Sequence, residues 1–186
     1  MLRGTKVALR ARLQEDVPIL HEELYNDVLT RSRADGKPWR PVAPGAPDAP
    51  FVVSEPDPQF VPFSVVSLDS GELAGSAVLW GIDNHSRLAH LGMALRPSFR
   101  GKGLGTDLIR VLCEYGFGVR GLNRLQLETL ADNHGMKGAA ENAGFTYEGT
   151  LRRNAWVCGA FYDEVIYGLL VEEWAQARQG DSALPA

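Results

Sequence analysis

Alternation of apolar and polar residues marks the strands of this chain. "KVALRA" (6–11) reads as a short strand, "FSVVSL" (63–68) and "LAGSAVLWGI" (73–82) as two more joined at "DSGE", a turn by composition. "LAHLGMAL" (88–95) and "RLQLETL" (124–130) alternate in the same way, and "YEGTLRRNAWV" (147–157) with "DEVIYGLLV" (163–171) suggests a long hairpin around "CGAFY". A helical period takes over in three places. In "EDVPILHEELYNDVLTR" (15–31) apolar residues recur at helical spacing, with Pro18 tolerated near the start. From Leu104 they fall at Leu108, Val111, Leu112 and Tyr115, a stripe that should end near Gly116 to Gly118. "DNHGMKGAAENAGF" (132–145) is a shorter helix, with Asn133 placed to cap its start and Gly144 its end.

This order, β-α, a meander, then β-α-β-α-β-β, predicts an α+β fold of mixed α/β layers. A single domain is expected over 1–178, with a loose tail at 179–186. The irregular part is 33–62. Eight of the eleven prolines lie between Pro38 and Pro62, and Pro38, Pro41, Pro44, Pro47 and Pro50 recur every third residue, the period of an extended polyproline helix. Its readings are a stiff surface loop, a wall of a substrate site with Trp39 as contact, or a recognition segment.

The chain has 186 residues, is 45% apolar, and carries a net charge of −4, which suits one ordinary globular domain and not a general nucleic-acid binder. No apolar run approaches membrane-helix length, and the start does not read as a signal peptide. Cys113 and Cys158 form no metal or CxxC spacing, and the four histidines are scattered, so the expectation is a reduced, cytoplasmic protein without a metal.

The chemistry concentrates in "RPSFRGKGLGTDLI" (96–109), where three alternating glycines and several cations lie between a strand and a helix. Such a helix start holds an anion. No GK[ST] is present, which rejects a Walker A loop, and "GKGLGT" misses the spacing of a dinucleotide fingerprint. R-x-x-G-x-G, carried by Arg100, Gly103 and Gly105, resembles the signature loop of the GNAT superfamily of N-acetyltransferases. The resemblance extends over "AHLGMALRPSFRGKGLGTDLI", "DN…ENAGF" and "EGTLRRNAWVCGAFYDEVIYGLL", and is nearest to the branch that includes the ribosomal-protein N-terminal acetyltransferases.

That resemblance implies a central, mostly antiparallel twisted sheet of about seven strands flanked by helices, with the fourth and fifth strands splayed. It implies acetyl-CoA as cosubstrate, its pyrophosphate held at Arg100, Gly101, Lys102, Gly103, Leu104, Gly105 and Thr106. A bulge near Met93, Ala94 and Leu95 would free a backbone N–H for the thioester carbonyl. Asn133 would contact the coenzyme arm, compatibly with capping. It further implies direct attack by an amine, either a protein N-terminus or a small molecule, without a covalent intermediate. Homodimers are frequent in such a family; neither nucleic acid nor membrane is expected as a partner.

The sequence departs from the family at the catalytic positions. His90 stands where many relatives carry a glutamate; an imidazole, with an ordinary pKa near 6.5, accepts a proton at neutral pH, and the alternative is a strand histidine bonded to a neighbour. Glu128 is a second candidate base or an exposed structural carboxylate. The family's tyrosine position is Ala140 and the branch's serine position is Met136, so Tyr162 or Tyr167 is the substitute general acid, against a packing role. Those losses also motivate the rival reading of a non-catalytic acyl-CoA-binding module.

Overall fold

The computed structural model describes the backbone of residues 1–182 and the side chains of residues 1–178. One sheet organises them, with strands in the order β1-β2-β3-β4-β5-β6-β8-β7. These are β1 (Leu2–Arg3), β2 (Val7–Arg10), β3 (Phe60–Ser67), β4 (Leu73–Asp83), β5 (Leu88–Leu95), β6 (Arg124–Leu130), β7 (Thr146–Val157) and β8 (Ala160–Leu170). All neighbours pair antiparallel except β5 and β6, which are parallel. The sheet is therefore the expected one, with a two-residue strand added at one edge.

Helices α1 (Asp16–Leu20), α2 (Val28–Ala34), α3 (Leu104–Cys113), α4 (His134–Asn142) and α5 (Val171–Ser182) flank it. Instead of one helix over 15–31, α1 runs into a π-helical turn at His21–Tyr25 and α2 starts anew. Asp27 makes the break: its backbone leaves the helical region and its side chain accepts from Thr30 N at 3.1 Å. Helix α5, which alternation does not predict, occupies the start of the expected tail, whose residues 183–186 lie outside the described residues. Its large apolar residues, Val171 and Trp174, lie in the first turn, where Trp174 packs on Phe117 with ring centroids 5.3 Å apart.

The main core lies between the sheet and α3, where Leu79, Leu108, Ile109, Leu112, Leu125 and Leu127 are fully buried. Each such leucine contributes roughly 1.5–3 kcal/mol by leaving water. Strand alternation sends Ala89, Leu91, Leu125 and Leu127 to this side, so His90, Gly92, Gln126 and Glu128 face the other. A smaller cluster of Leu20, Leu24 and Leu73, joined by Phe51 and Ala94, seats the N-terminal helices on that second face.

The proline-rich segment is not a regular polyproline helix. Turns break it, with Ala46 N bonding to Ala43 O and Ala49 N to Ala46 O, because Gly45 takes a left-handed φ of 83°. Three side chains strap it to the N-terminal helices: His21 Nε2 donates to Val42 O at 3.0 Å, Tyr25 Oη to Arg40 O at 2.7 Å, and Trp39 Nε1 to Tyr25 O at 3.0 Å.

Candidate active site

The parallel pair β5–β6 is short. Its register runs Leu88–Arg124, Ala89–Leu125 and His90–Gln126, and then the strands part. These strands, "LAHLGMAL" and "RLQLETL", are the pair expected to splay, and they do. On its other side β5 stays paired with β4 as far as Leu95, and Arg96 N donates to Ala74 O. Backbone groups alternate direction along a strand, so Met93 and Leu95 turn theirs toward the gap. Arg100 Nε reaches Leu95 O there at 2.9 Å. The expected bulge is not in β5. The register shift falls in β4, between Trp80 and Asp83, and the Met93 and Leu95 groups are freed by strand divergence instead. Ala94, between them, packs under the N-terminal helices.

Gly101 and Gly103 close the open end of the gap, with φ of 72° and 73°, conformations that cost residues with a Cβ roughly 1–2 kcal/mol. Gly103 is the N-cap of α3 and offers no side-chain cap, so the first N–H groups of Leu104, Gly105 and Thr106 point outward. Nothing lies within 4 Å of a Cβ built on Gly101, whereas one on Gly105 would stand 3.3 Å from Met93 Cε. Arg100 and Lys102 bring charge, and so does a residue that the sequence does not single out: Lys6 Nζ donates to Lys102 O at 3.1 Å. These cations, open space and outward N–H groups fit a diphosphate. Arg96 belongs elsewhere; it pairs with Glu23 and donates to Leu73 O, tying the N-terminal helices to the sheet.

At the closed end of the gap stands His90. Its Nδ1 lies 3.0 Å from Glu128 Oε1, and its ring stacks on Trp80 with centroids 4.3 Å apart and planes 23° off parallel. Gly81, in the β4 bulge at a φ of 59°, makes room for the ring: a Cβ there would come within 3.2 Å of His90 Cδ2. Because a carboxylate only accepts, Nδ1 is the nitrogen that donates to Glu128, which leaves Nε2 as the one that can take up or release a proton. Burial pushes the Glu128 carboxyl upward, but hydrogen bonds from His90 and Gln126, with the charges of His90 and Arg124, outweigh it and hold it below its ordinary value. The two residues read separately as candidate bases are thus one pair.

The remaining candidates are not brought to that pair. Tyr162 lies on the same face, since Glu128 pairs with Ile166 and Tyr162 is four residues along β8, where the Arg33 guanidinium sits 5.5 Å from its ring centroid. Tyr167 is buried on the core side, donates to Glu141 Oε1 at 2.8 Å, and is pushed up to about 12 by that burial and partner. Ala140 is wholly buried and Met136 spends its N–H on Asn133 Oδ1 at 3.2 Å. Asn133 therefore caps α4, and its Nδ2 donates to Thr129 Oγ1 at 2.9 Å. Cys113 is packed, its thiol pushed up to about 12 by burial. Among the described residues no group of three or more His, Cys, Asp or Glu is placed to hold a metal, and no helix is long and apolar enough to cross a membrane.

A strand pair that opens toward a glycine-rich helix start defines an acyl-CoA-type site, and comparison agrees: the model of the acetyltransferase (GNAT) domain matches residues 6–146, so the chain belongs to that family. A Bacillus subtilis (strain 168) protein provisionally named as the ribosomal N-acetyltransferase YdaF is 35% identical over 107 residues, 58% of this chain and 58% of that protein. Spermidine N(1)-acetyltransferase of Escherichia coli (strain K12) is 31% identical over 101 residues, 54% of each chain. The chain thus spans less than two thirds of the length of these curated relatives. The fold of spermidine N-acetyltransferase from Vibrio cholerae, solved with CoA and spermine, superposes with a TM-score of 0.76 over 92% of this chain and 99% of that one, at 22% identity.

Proposed function

We propose that the chain transfers the acetyl group of acetyl-CoA directly to a primary amine, with His90 as the base. The observation that carries this reading is the position of His90, the last paired residue before β5 and β6 part, with an anion cradle at the other end of the gap. Acetyl-CoA supplies the activated thioester. Arg100, Lys102 and Lys6, with the N–H groups of residues 101–106, hold its diphosphate, and Asn133, at the start of α4 beyond β6, contacts the coenzyme arm. The N–H groups of Met93 and Leu95 stabilise charge developing on the acyl oxygen. On the opposite face, His90 Nε2 takes the proton of the incoming ammonium while Glu128 holds the ring and balances the imidazolium. The departing thiolate takes its proton from Tyr162 or from solvent, which suffices for a thiol of pKa about 8.5.

We further infer that the acceptor is the α-amine of a polypeptide N-terminus. Neutralising an α-amine of pKa near 8 at pH 7 costs about 1.4 kcal/mol, against about 4.6 kcal/mol for an amine near 10.4. An imidazole–carboxylate pair matches the first task better, and the likeness to YdaF supports it. A polyamine is the second reading, favoured by the spermidine relative and by Glu128 and Glu164 on one face of the sheet. Acetylation of a panel comprising peptides with free α-amines, spermidine and α-blocked lysine peptides, followed by mass spectrometry, separates them. The first reading predicts kcat/KM at least about tenfold higher for α-amines, a difference of about 1.4 kcal/mol. A preference for spermidine would establish the second. Acetyl-CoA binding without amine-dependent release of CoA would replace both with the non-catalytic module.

A further inference from the structure

We propose that Arg124, Gln126 and Glu148 form a clamp across the sheet that positions Glu128 and, through it, the His90 imidazole; this rests on the reading of His90 as the base. Arg124, Gln126 and Glu128 are alternate residues of β6 and share one face. Gln126 Nε2 donates to Glu128 Oε1 at 2.6 Å, and Arg124 Nη2 donates to Gln126 Oε1 at 2.8 Å. Arg124 also forks onto Glu148, its Nη1 lying 2.6 Å from Oε1 and its Nη2 bonding Oε2.

Glu148 is not on a neighbouring strand. It belongs to β7, and β8 runs between. Two features let the pair meet. Gly168 of β8 stands opposite Gln126 on one side and Thr146 on the other, and a Cβ there would fall 2.3 Å from Glu148 Oε1 and 2.6 Å from Arg124 Nη1. The register of β7 also shifts between Tyr147 and Gly149, making Glu148 the extra residue of a bulge, a feature that re-aims a side chain. A missing side chain and a bulge at one place give the ion pair its path.

The clamp fixes which way the Gln126 amide points. Its oxygen faces the guanidinium and its nitrogen the carboxylate; reversed, NH2 would meet guanidinium and oxygen would meet carboxylate, with both bonds lost. Glu128 Oε1 then receives Gln126 and His90 together, so the carboxylate cannot swing away from Nδ1. Among the described residues, the charged and polar groups facing the pair are Trp80 from β4, Gln126 and Arg124 from β6, Glu164 from β8, two residues from the Ile166 that stands opposite Glu128, and Glu148 beyond β8, with Glu173 acting on Arg124.

The test is the pH profile of kcat/KM for the full chain with acetyl-CoA and an amine acceptor. Gln126→Glu replaces the amide donor with a second carboxylate beside the pair, which favours the imidazolium, so the acid limb moves up by about one pH unit. Arg124→Gln removes the cation and moves the limb in the same direction, while Glu148→Gln, at the exposed end, lowers kcat and leaves the acetyl-CoA Kd unchanged. A merely structural role would move melting temperature and Kd but not the limb. Superposition of the Gln126→Glu profile on the wild-type one, in protein that binds acetyl-CoA normally, overturns the clamp; if that variant does not fold, an unmoved limb in Arg124→Gln does the same. An acid limb that persists in His90→Gln refutes the base assignment instead.

Discussion

The indole of Trp80 and the imidazole of His90 lie stacked, 4.3 Å between centroids, on adjacent strands whose register slips immediately beyond them. Trp80 is 42% exposed, so its ring is a wall of the open face as well as a support. Trp80→Ala leaves His90 tied to Glu128 but free to tilt, and is expected to lower kcat about tenfold, a loss of about 1.4 kcal/mol of transition-state stabilisation, with little change in acetyl-CoA affinity. Steady-state kinetics beside a calorimetric titration checks this. A loss confined to coenzyme affinity would be the wrong result.

The anion cradle makes a separate prediction. Gly103 precedes α3 at a φ of 73°, and its added Cβ would meet only the end of the Lys6 side chain, at 2.9 Å. The backbone conformation is therefore the obstacle. Gly103→Ala should weaken acetyl-CoA binding by about tenfold through roughly 1–2 kcal/mol of strain, read by calorimetry. Lys6→Ala should weaken it too, with a smaller dependence of Kd on salt.

Asp107 predicts acid behaviour. Buried in the first half of α3, it accepts the N–H groups of Thr5 at 3.0 Å, Lys6 at 2.7 Å and Val7 at 2.9 Å, and the Thr5 hydroxyl at 2.9 Å. Burial pushes its carboxyl up, but those bonds win and hold it below the ordinary value. A depressed folded pKa adds stability that is complete above the unfolded value near 4 and is lost as the pH falls through the folded value. Asp107→Asn should cost about 1–3 kcal/mol at pH 7, and urea titrations should show a flatter loss of stability below pH 4 than in the wild type.

The strapped proline-rich segment predicts local opening. Trp39→Ala removes both the bond to Tyr25 O and the ring packed 6.0 Å from Tyr25, so limited proteolysis should cut within 36–50 faster while leaving the core intact. The segment is strapped to helices on the sheet face that His90 shares, so if it walls the acceptor site the acceptor KM rises and the acetyl-CoA Kd holds.

Much of this architecture is legible because strands and helices announce themselves by period. The alternation in "RLQLETL" already puts Arg124, Gln126 and Glu128 on one face, and "LAHLGMAL" puts His90 opposite the core. The glycine-rich loop was equally readable, since its chemistry is local. Contacts between distant residues were not. Nothing near Lys6 signals Lys102, 96 residues away, and no local pattern shows that Glu148 crosses a strand to Arg124. Backbone irregularities escape for a related reason: the bulges at Gly81 and Glu148 and the break at Asp27 depend on what packs beside them. The threefold proline spacing misled because turns close over three residues as readily as a polyproline helix repeats over three.

The most direct measurement is CoA release from acetyl-CoA with an α-amine peptide, compared between wild type and His90→Gln at matched coenzyme saturation. Proton abstraction at the vertex of the parted strands predicts amine-dependent turnover in the wild type and a fall of about a hundredfold in the variant, with coenzyme affinity preserved. Equal turnover in the two proteins would contradict it.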